Sequence, residues 1–208
     1  MEKSILYCFK VFERSMVEGS VLELGPAEGV MTAHLEKVTR DLTTVEGSSA
    51  FCKVLEQQFP KIRVVNCLFE EFQPELKFDN IVLGHVLEHV IDPVELAPGG
   101  RVLTSVPNAN SLHRQAAVRM GLLQKETELN SLDIHHGHRR VFTPEEFKKI
   151  FGQAGLSINL FGGYWCKPLS HSQIETHWDT SMIDAFMSLG EKYPEIAGEL
   201  YIVAESEK

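Results

Sequence analysis

Two groups of residues in this sequence have types and spacings that can do chemistry. The first is Glu23-Leu-Gly25-Pro-Ala27-Glu-Gly29, inside the stretch VLELGPAEGVMTAHL. An acid, a glycine-broken turn and then a helix pattern make a device for holding a ligand. Glycine lets backbone approach closely, and a helix start offers unpaired N–H groups. A dinucleotide site would want Gly-x-Gly-x-x-Gly to receive a pyrophosphate. Here Pro26 follows the first glycine and Glu28 stands where a phosphate would lie. A cationic or neutral ligand therefore fits better than an anionic one. Glu46 lies about 20 residues past the turn, where an acid can accept hydrogen bonds from ribose hydroxyls.

The second group is HHGHRR, His135 to Arg140. Imidazole titrates near neutrality and can take a proton from a hydroxyl or an amine. His138 is the best single candidate for such a base, and His135 is the second. Arginines can clamp a phosphate or carboxylate in bidentate fashion, which makes Arg139 a candidate substrate contact. A zinc site would need more ligands at closed spacing, and no cysteine lies near in sequence, so no metal is expected. The plainer alternative is a solvated loop whose His138 or Arg139 bonds backbone. His113, Arg114 and Tyr164 are further candidates for a substrate pocket, although Tyr164 could simply pack.

These residues need elements to position them. Ile5, Phe9, Phe12 and Met16 make one apolar stripe, so the first nineteen or so residues read as a helix. Val21 to Leu24 reads as a buried strand, and a helix follows from about Gly29 to Val38. Leu42 to Val45 is a second strand, with Glu46 at its end. SSAFCKVLEQQF is a second helix, stopped by Pro60. KIRVVNCLF, FDNIVLGH and RVLTSVP supply three more strands, the last entered through Pro98-Gly99-Gly100. LSINLFGG and ELYIVAES are late strands, separated by a helix near Met182 to Lys192. Alternating short apolar runs and helical patterns indicate an α/β fold on a mostly parallel sheet, and the late pair suggests an antiparallel edge. Leu112, Ala116, Met120 and Leu123 recur at helical spacing and predict an apolar stripe, with His113 and Arg114 off it. The whole segment 108–142 is longer than an ordinary connection, as lids and substrate-binding insertions are. Thr143, Pro144 and Glu146 fit a capped helix start.

Composition bounds the task. The chain has 208 residues, enough for one domain, with 43% hydrophobic and 24% charged residues and a formal net charge of −9. That charge argues against nucleic acid or an anionic membrane as the main partner, and no apolar run reaches the ~18 residues of a membrane span. The four cysteines are scattered without paired spacing. They read as free thiols in a reducing compartment, hence a cytoplasmic location. A small-molecule substrate is expected, and a homodimer stays open.

Beside these readings stands a family resemblance. Glu23-x-Gly25-x-Ala27-x-Gly29 resembles the first motif of class I S-adenosylmethionine-dependent methyltransferases, with Ala27 replacing the commoner middle glycine. FDNIVLGHVLEHVIDPVE followed by APGGRVLTSVPN resembles their fourth and fifth strands, closest to the "VLEH" subgroup that includes quinone O-methyltransferases and sugar methyltransferases. GHRRVFTPEEFKKIFGQAGLSI resembles that subgroup's segment before strand six. The resemblance implies a Rossmann-like, doubly wound, seven-stranded mixed sheet with an antiparallel C-terminal edge strand, and methyl transfer to O or N of a small molecule. It implies S-adenosylmethionine as cofactor and S-adenosylhomocysteine as product. Glu23, Gly25, Ala27 and Gly29 would hold the methionine end, and Glu46 the ribose. Gly84 and His85 would offer backbone at the end of the fourth strand. The glycines are then expected to serve ligand approach rather than stability. Two departures stand out. Leu68 occupies the place where the family carries an adenine-binding Asp, which leaves apolar contact, Phe69 included. The stretch between His89 and Pro98 is short for a crossover helix, which suggests residues missing between Leu96 and Ala97. Rival readings are an NAD enzyme, disfavoured by Pro26 and Glu28, and a non-catalytic nucleoside- or partner-binding protein that keeps the fold.

Overall fold

The computed structural model describes residues 2–73, 77–94 and 100–206. The Leu96–Ala97 junction and most of the Pro98-Gly99-Gly100 turn lie outside them. In chain order the elements are α1 (Glu2–Glu13), β1 (Val21–Leu24), α2 (Thr32–Val38), β2 (Leu42–Glu46), α3 (Ser49–Gln58), β3 (Arg63–Asn66), β4 (Asn80–Gly84) and β5 (Arg101–Pro107). There follow α4 (Leu112–Arg119), α5 (Ser131–His135), α6 (Pro144–Gln153), β6 (Leu156–Tyr164), α7 (His171–His177), α8 (Thr180–Gly190) and β7 (Glu199–Ser206).

The seven strands form one sheet in the order β3-β2-β1-β4-β5-β7-β6. β1 pairs in parallel with β2 and β4, β2 with β3, and β4 with β5. β7 lies antiparallel between β5 and β6, so it alone runs against the others and β6 is outermost. The fold is the doubly wound α/β mixed sheet expected from the alternation of elements.

Period-two alternation divides the core. Leu22, Leu24, Ile81 and Leu83 face one side, against Phe147, Ile150 and Phe151 of α6. Val21, Val82 and Leu103 face the other, against Tyr7, Val11 and Phe12 of α1, Leu35 of α2 and Ile183 and Met187 of α8. α6 starts where expected, on a capping box in which Thr143 Oγ1 accepts from the Glu146 N–H at 3.2 Å and Glu146 returns a bond to the Thr143 N–H. Buried Asn80 at the start of β4 accepts from Val17 N–H at 2.9 Å and donates to Val17 O at 2.8 Å, which ties the segment after α1 to the sheet.

α1 keeps the stripe predicted for it: Phe9 and Phe12 are buried, with Tyr7, Cys8 and Val11, and Ile5 and Met16 pack against the same cluster. The apolar stripe of α4 is not core: Met120 just past its end is 71% exposed, and the one buried side chain of the helix is Arg114. A buried ion pair decides that orientation, as described below.

The helix after β1 begins at Thr32 rather than Gly29, because residues 27–31 form a turn. Gly29 sits in that turn at φ +81°, and a Cβ there would stand 2.7 Å from Phe59 Cε2 and 2.9 Å from Leu55 Cδ2 of the neighbouring α3 layer. Both the backbone conformation and the packing require glycine. Gly29→Ala should therefore lower stability by about 1–3 kcal/mol, read as an earlier midpoint in urea; an unchanged midpoint would show that the turn relaxes freely.

Candidate functional site

The strand order reverses between β1 and β4, since the chain runs outward from β1 through β2 and β3 and then returns to β4 on the other flank. The crevice at the carboxyl ends of strands beside such a reversal is where open α/β sheets bind ligands. The turn after β1 brings Gly25, Ala27 and Gly29 there; Glu23, Glu46, Gly84 and His85 come from the ends of β1, β2 and β4.

Glu23 points from β1 toward α2 and is 2% exposed. Thr32 Oγ1 donates to its Oε2 at 2.7 Å. Burial pushes the Glu23 carboxyl up to about 8; the Thr32 bond opposes the shift and the nearby Glu46 carboxylate adds to it. Glu46 accepts from Ser48 N–H at 2.8 Å and from Ala27 N–H at 3.2 Å, so it braces the turn from the end of β2. Ala27 is held at φ +47°. Glycine would adopt that conformation freely, which gives the Ala27 departure a physical meaning.

Gly25 has φ +67°, and a Cβ there would stand 3.0 Å from Val86 Cγ2 and 3.3 Å from Phe69 Cζ. The expectation that Gly25 and Gly29 matter for ligand approach alone is thus corrected: both positions also need glycine for the fold. Phe69 packs against the core, while Leu68 is 55% exposed.

His85 follows β4 at φ +60°. Its Nε2 lies 3.3 Å from Tyr164 Oη and its Nδ1 3.4 Å from Glu88 Oε1. Burial would lower its pKa, but the Glu88 and Glu199 carboxylates outweigh that and raise it. Tyr164 is fully buried and stacks on Tyr7 with ring centroids 5.6 Å apart. The geometry therefore makes Tyr164 a core residue that steadies His85, not a pocket wall.

Residues 87–89 form a turn. Glu88 is fully buried, and neither carboxylate oxygen has a hydrogen-bond partner among the described residues. The histidine loop lies against this turn. Arg139 N–H donates to Glu88 O and Arg139 Nε–H to His89 O, both at 2.8 Å, and Arg140 donates to Ile91 O at 2.9 Å. Arg139 is thus a staple to backbone in place of the substrate contact expected of it. His138 stands edge-on to His89 with centroids 4.9 Å apart. Its Nδ1 lies 3.4 Å from Asp133 Oδ1. His135 is exposed, edge-on to His136.

Arg114 also departs from its expected role. Its Nε donates to Glu126 O at 2.7 Å, its Nη1 to Asp133 Oδ2 at 3.0 Å, and its Nη2 to Glu128 O. The guanidinium is consumed inside segment 108–142. Burial would raise Asp133, but His138, the Asn130 N–H and Arg114 bring its carboxyl down to about 2. His113 has a buried Nδ1 without a partner among the described residues. Burial, then Lys167 and Arg114, lower its pKa to about 3, so it is neutral.

Sequence reasoning missed Asp133 and Glu199. Asn130-x-x-Asp133 is a capping pattern, and the box it forms is legible in hindsight. Nothing in the sequence marks the contact of Glu88 with residue 138. Two other concavities lie away from this end of the sheet. One is a small apolar void by Leu83, Val102 and Phe151; the other is an open groove by Ser20, Arg40 and Asp79 at the amino ends of the strands. Neither holds the groups described here.

A strand-order switch point with a buried acid under a left-handed turn is where a doubly wound sheet can receive a ligand. A family model described as "Methyltransferase domain" matches residues 1–159, and the chain belongs to that family. Solved structures share the fold. One is an S-adenosylmethionine-dependent methyltransferase from Mesorhizobium loti, at 14% identity and TM-score 0.68, covering 96% of this chain and 97% of that one. A second, from Archaeoglobus fulgidus, has 17% identity and TM-score 0.63 over 99% and 95% of the two chains. A glycopeptide N-methyltransferase complexed with S-adenosylmethionine has 14% identity and TM-score 0.62 over 96% and 86%. No curated protein matches the chain in sequence. The cofactor that goes with this family and fold is S-adenosylmethionine.

The buried acid makes a pH prediction. An ordinary Glu ionises near 4.5, and Glu23 near 8. The native state thus holds a proton that the unfolded chain releases, and this group's contribution makes stability fall as pH rises between those values. The Tm of ligand-free Glu23→Gln should gain on that of the wild type as pH is raised from about 5 to about 8. Parallel Tm curves would show that Glu23 is ionised throughout.

Proposed function

We propose that this chain is an S-adenosylmethionine-dependent methyltransferase acting on O or N of a small molecule. The observation that carries this reading is Glu23: a buried carboxylate at the switch point, raised to about 8, with no cation beside it among the described residues. Such a group favours a positively charged ligand, because a cation lets it ionise. The methionine end of the cofactor, with its ammonium and sulfonium, is such a ligand.

The residues present fit this cofactor. Glu23 would lie under its methionine end, the Gly25–Gly29 turn would wrap it with backbone, and Glu46 would accept from the ribose hydroxyls. Phe69, close above Gly25, would give the adenine an apolar surface, with Leu68 at the rim. Gly84 and His85 would present backbone from β4. When bound, the cofactor supplies an electrophilic methyl group on its sulfonium.

The protein's own work is alignment and proton removal. The acceptor would sit beneath segment 108–142, near His85, His89 and His138. His138 is the better base candidate of the two expected, because Asp133 orients its ring while His135 faces solvent. His113, neutral and with an unpartnered ring nitrogen, is available to hydrogen-bond the acceptor. A homodimer and a cytoplasmic location belong to the same proposal; among the described residues no helix is long and apolar enough to cross a membrane.

Two measurements test the reading. Glu46→Ala should weaken S-adenosylhomocysteine binding by at least roughly tenfold, since two charge-assisted hydrogen bonds are lost. An unchanged dissociation constant in a folded variant would reject the ribose assignment, and calorimetry that finds NAD bound instead would reject the cofactor. His138→Ala should lower methylation at saturating cofactor by ~10²-fold or more, with cofactor affinity little changed. A full rate from about pH 6 to about pH 9 would remove His138 from the chemistry. Cofactor binding without turnover on any acceptor in a labelled-cofactor screen would favour a non-catalytic binding protein.

A further inference from the structure

The three side chains Glu88, His89 and His138 each turn a ligand-type atom toward the others, all within 4.8 Å. Glu88 is fully buried and both its oxygens lack a hydrogen-bond partner among the described residues. The nearest positive candidate is His85 Nδ1, 3.4 Å from Oε1. A carboxylate buried in this way is costly unless it is paired or coordinates a cation. The positioning of the histidines is built rather than incidental. Arg139 N–H and Nε–H clamp the loop onto the carbonyls of Glu88 and His89. Asp133 Oδ1 faces His138 Nδ1 at 3.4 Å, and Arg114 fixes the other Asp133 oxygen at 3.0 Å. A carboxylate behind one ring nitrogen, leaving the second free, is how metal-ligating histidines are oriented.

We propose that Glu88, His89 and His138 bind one divalent transition metal ion, with Asp133 as the positioning residue for His138. Two imidazoles and one carboxylate suit zinc-like ions. The donor set has no thiolate and is poor for magnesium or calcium, which prefer all-oxygen shells. A cation held at ~2.0–2.2 Å from each donor draws the three side chains inward. Three protein ligands leave open positions. Resting on the methyltransferase reading, those positions take an oxygen atom of the acceptor, whose hydroxyl proton passes to water more easily than from the free molecule; as a ligand, His138 then serves the reaction through the metal instead of acting as the base itself. The substrate class narrows accordingly to a hydroxyl-bearing acceptor. The HHGHRR loop alone offers too few ligands at closed spacing; the turn after β4 adds Glu88 and His89.

Cobalt(II) titrated into chelator-treated full-length protein tests the site, because its visible absorption reports nitrogen–oxygen coordination. One equivalent per chain should bind and be displaced by zinc. Glu88→Gln and His138→Asn should weaken binding at least tenfold, and Asp133→Asn by ~10–100-fold. His135→Asn should match the wild type. Thermal melts check that each variant is folded, and the wild-type stoichiometry stands whatever the variants do. No cobalt spectrum in the wild type, or folded Glu88→Gln and His138→Asn that both bind as tightly as wild type, overturns the proposal. S-adenosylhomocysteine calorimetry on the same samples separates the two readings. Its binding without cobalt sinks the metal site alone, and cobalt binding without it sinks the methyltransferase reading alone.

Discussion

Buried carboxylates gathered at one end of the sheet constrain this molecule more than any other feature. Parallel strands deliver Glu23 from β1, and the turn after β4 delivers Glu88, to the same end of the sheet; antiparallel β7 starts there with Glu199. Each is less than a tenth exposed. An isolated ion in a low-dielectric interior either finds a counter-charge or gives up its charge. Glu199 has Lys167 Nζ at 3.6 Å. Glu23 keeps its proton to about 8. Glu88 has His85 Nδ1 at 3.4 Å, and the proposed cofactor and metal would add positive charge at Glu23 and at Glu88.

The second constraint is how a long surface segment is made to carry a side chain accurately. Residues 108–142 close on themselves: Asn108 and Phe142 form an isolated bridge, and Ala109 N–H donates to Phe142 O at 2.8 Å. Inside the loop Arg114 bonds two carbonyls and Asp133, so the apolar residues of α4 lose the contest for the interior to one guanidinium. A buried charge must be fully satisfied, whereas an exposed Met or Leu carries only a modest penalty, and the arginine sets the orientation of the helix. Asp133 then passes that order on to His138. Position is transmitted from Arg114 to Asp133 to the imidazole, and separately from Arg139 to the Glu88 turn.

This explains what the sequence could and could not disclose. Strand alternation, the left-handed turn after β1 and the Thr143 capping box depend on neighbours close in sequence, so β1 to β7 and α6 were legible. The place of Glu46 at the end of β2, beside the turn, was legible as well, since it needs only β1 and β2 side by side; its bond to the Ala27 N–H was not. The α4 stripe was misread because its periodicity admits more than one face, and burial of Arg114 is decided by distant partners. The cluster of Glu88, His89 and His138 joins residues fifty apart through backbone hydrogen bonds from arginines. No residue type or spacing encodes those bonds, and the same arginines looked like substrate clamps for that reason.

Strain points to the same end of the sheet. Among the described residues, the non-glycine positions with left-handed backbone are Ala27 at φ +47°, His85 at +60° and Trp165 at +67°. They follow β1, β4 and β6, and these three strands are parallel to one another. All three therefore lie past carboxyl ends, and none lies at the opposite edge. Each such residue costs of order 1–3 kcal/mol and persists only where its surroundings over-determine it. At Ala27 the determinant is Glu46 holding the N–H, at His85 it is the bond from its N–H to Ser105 O at 2.9 Å, and at Trp165 the bond from its N–H to Met187 O at 2.9 Å. Relaxing any of them would move a site element: the turn over Glu23, the imidazole facing Glu88, or the Tyr164 hydroxyl behind it. The backbone gives up stability at the three places where the crevice has to keep its shape before any ligand arrives.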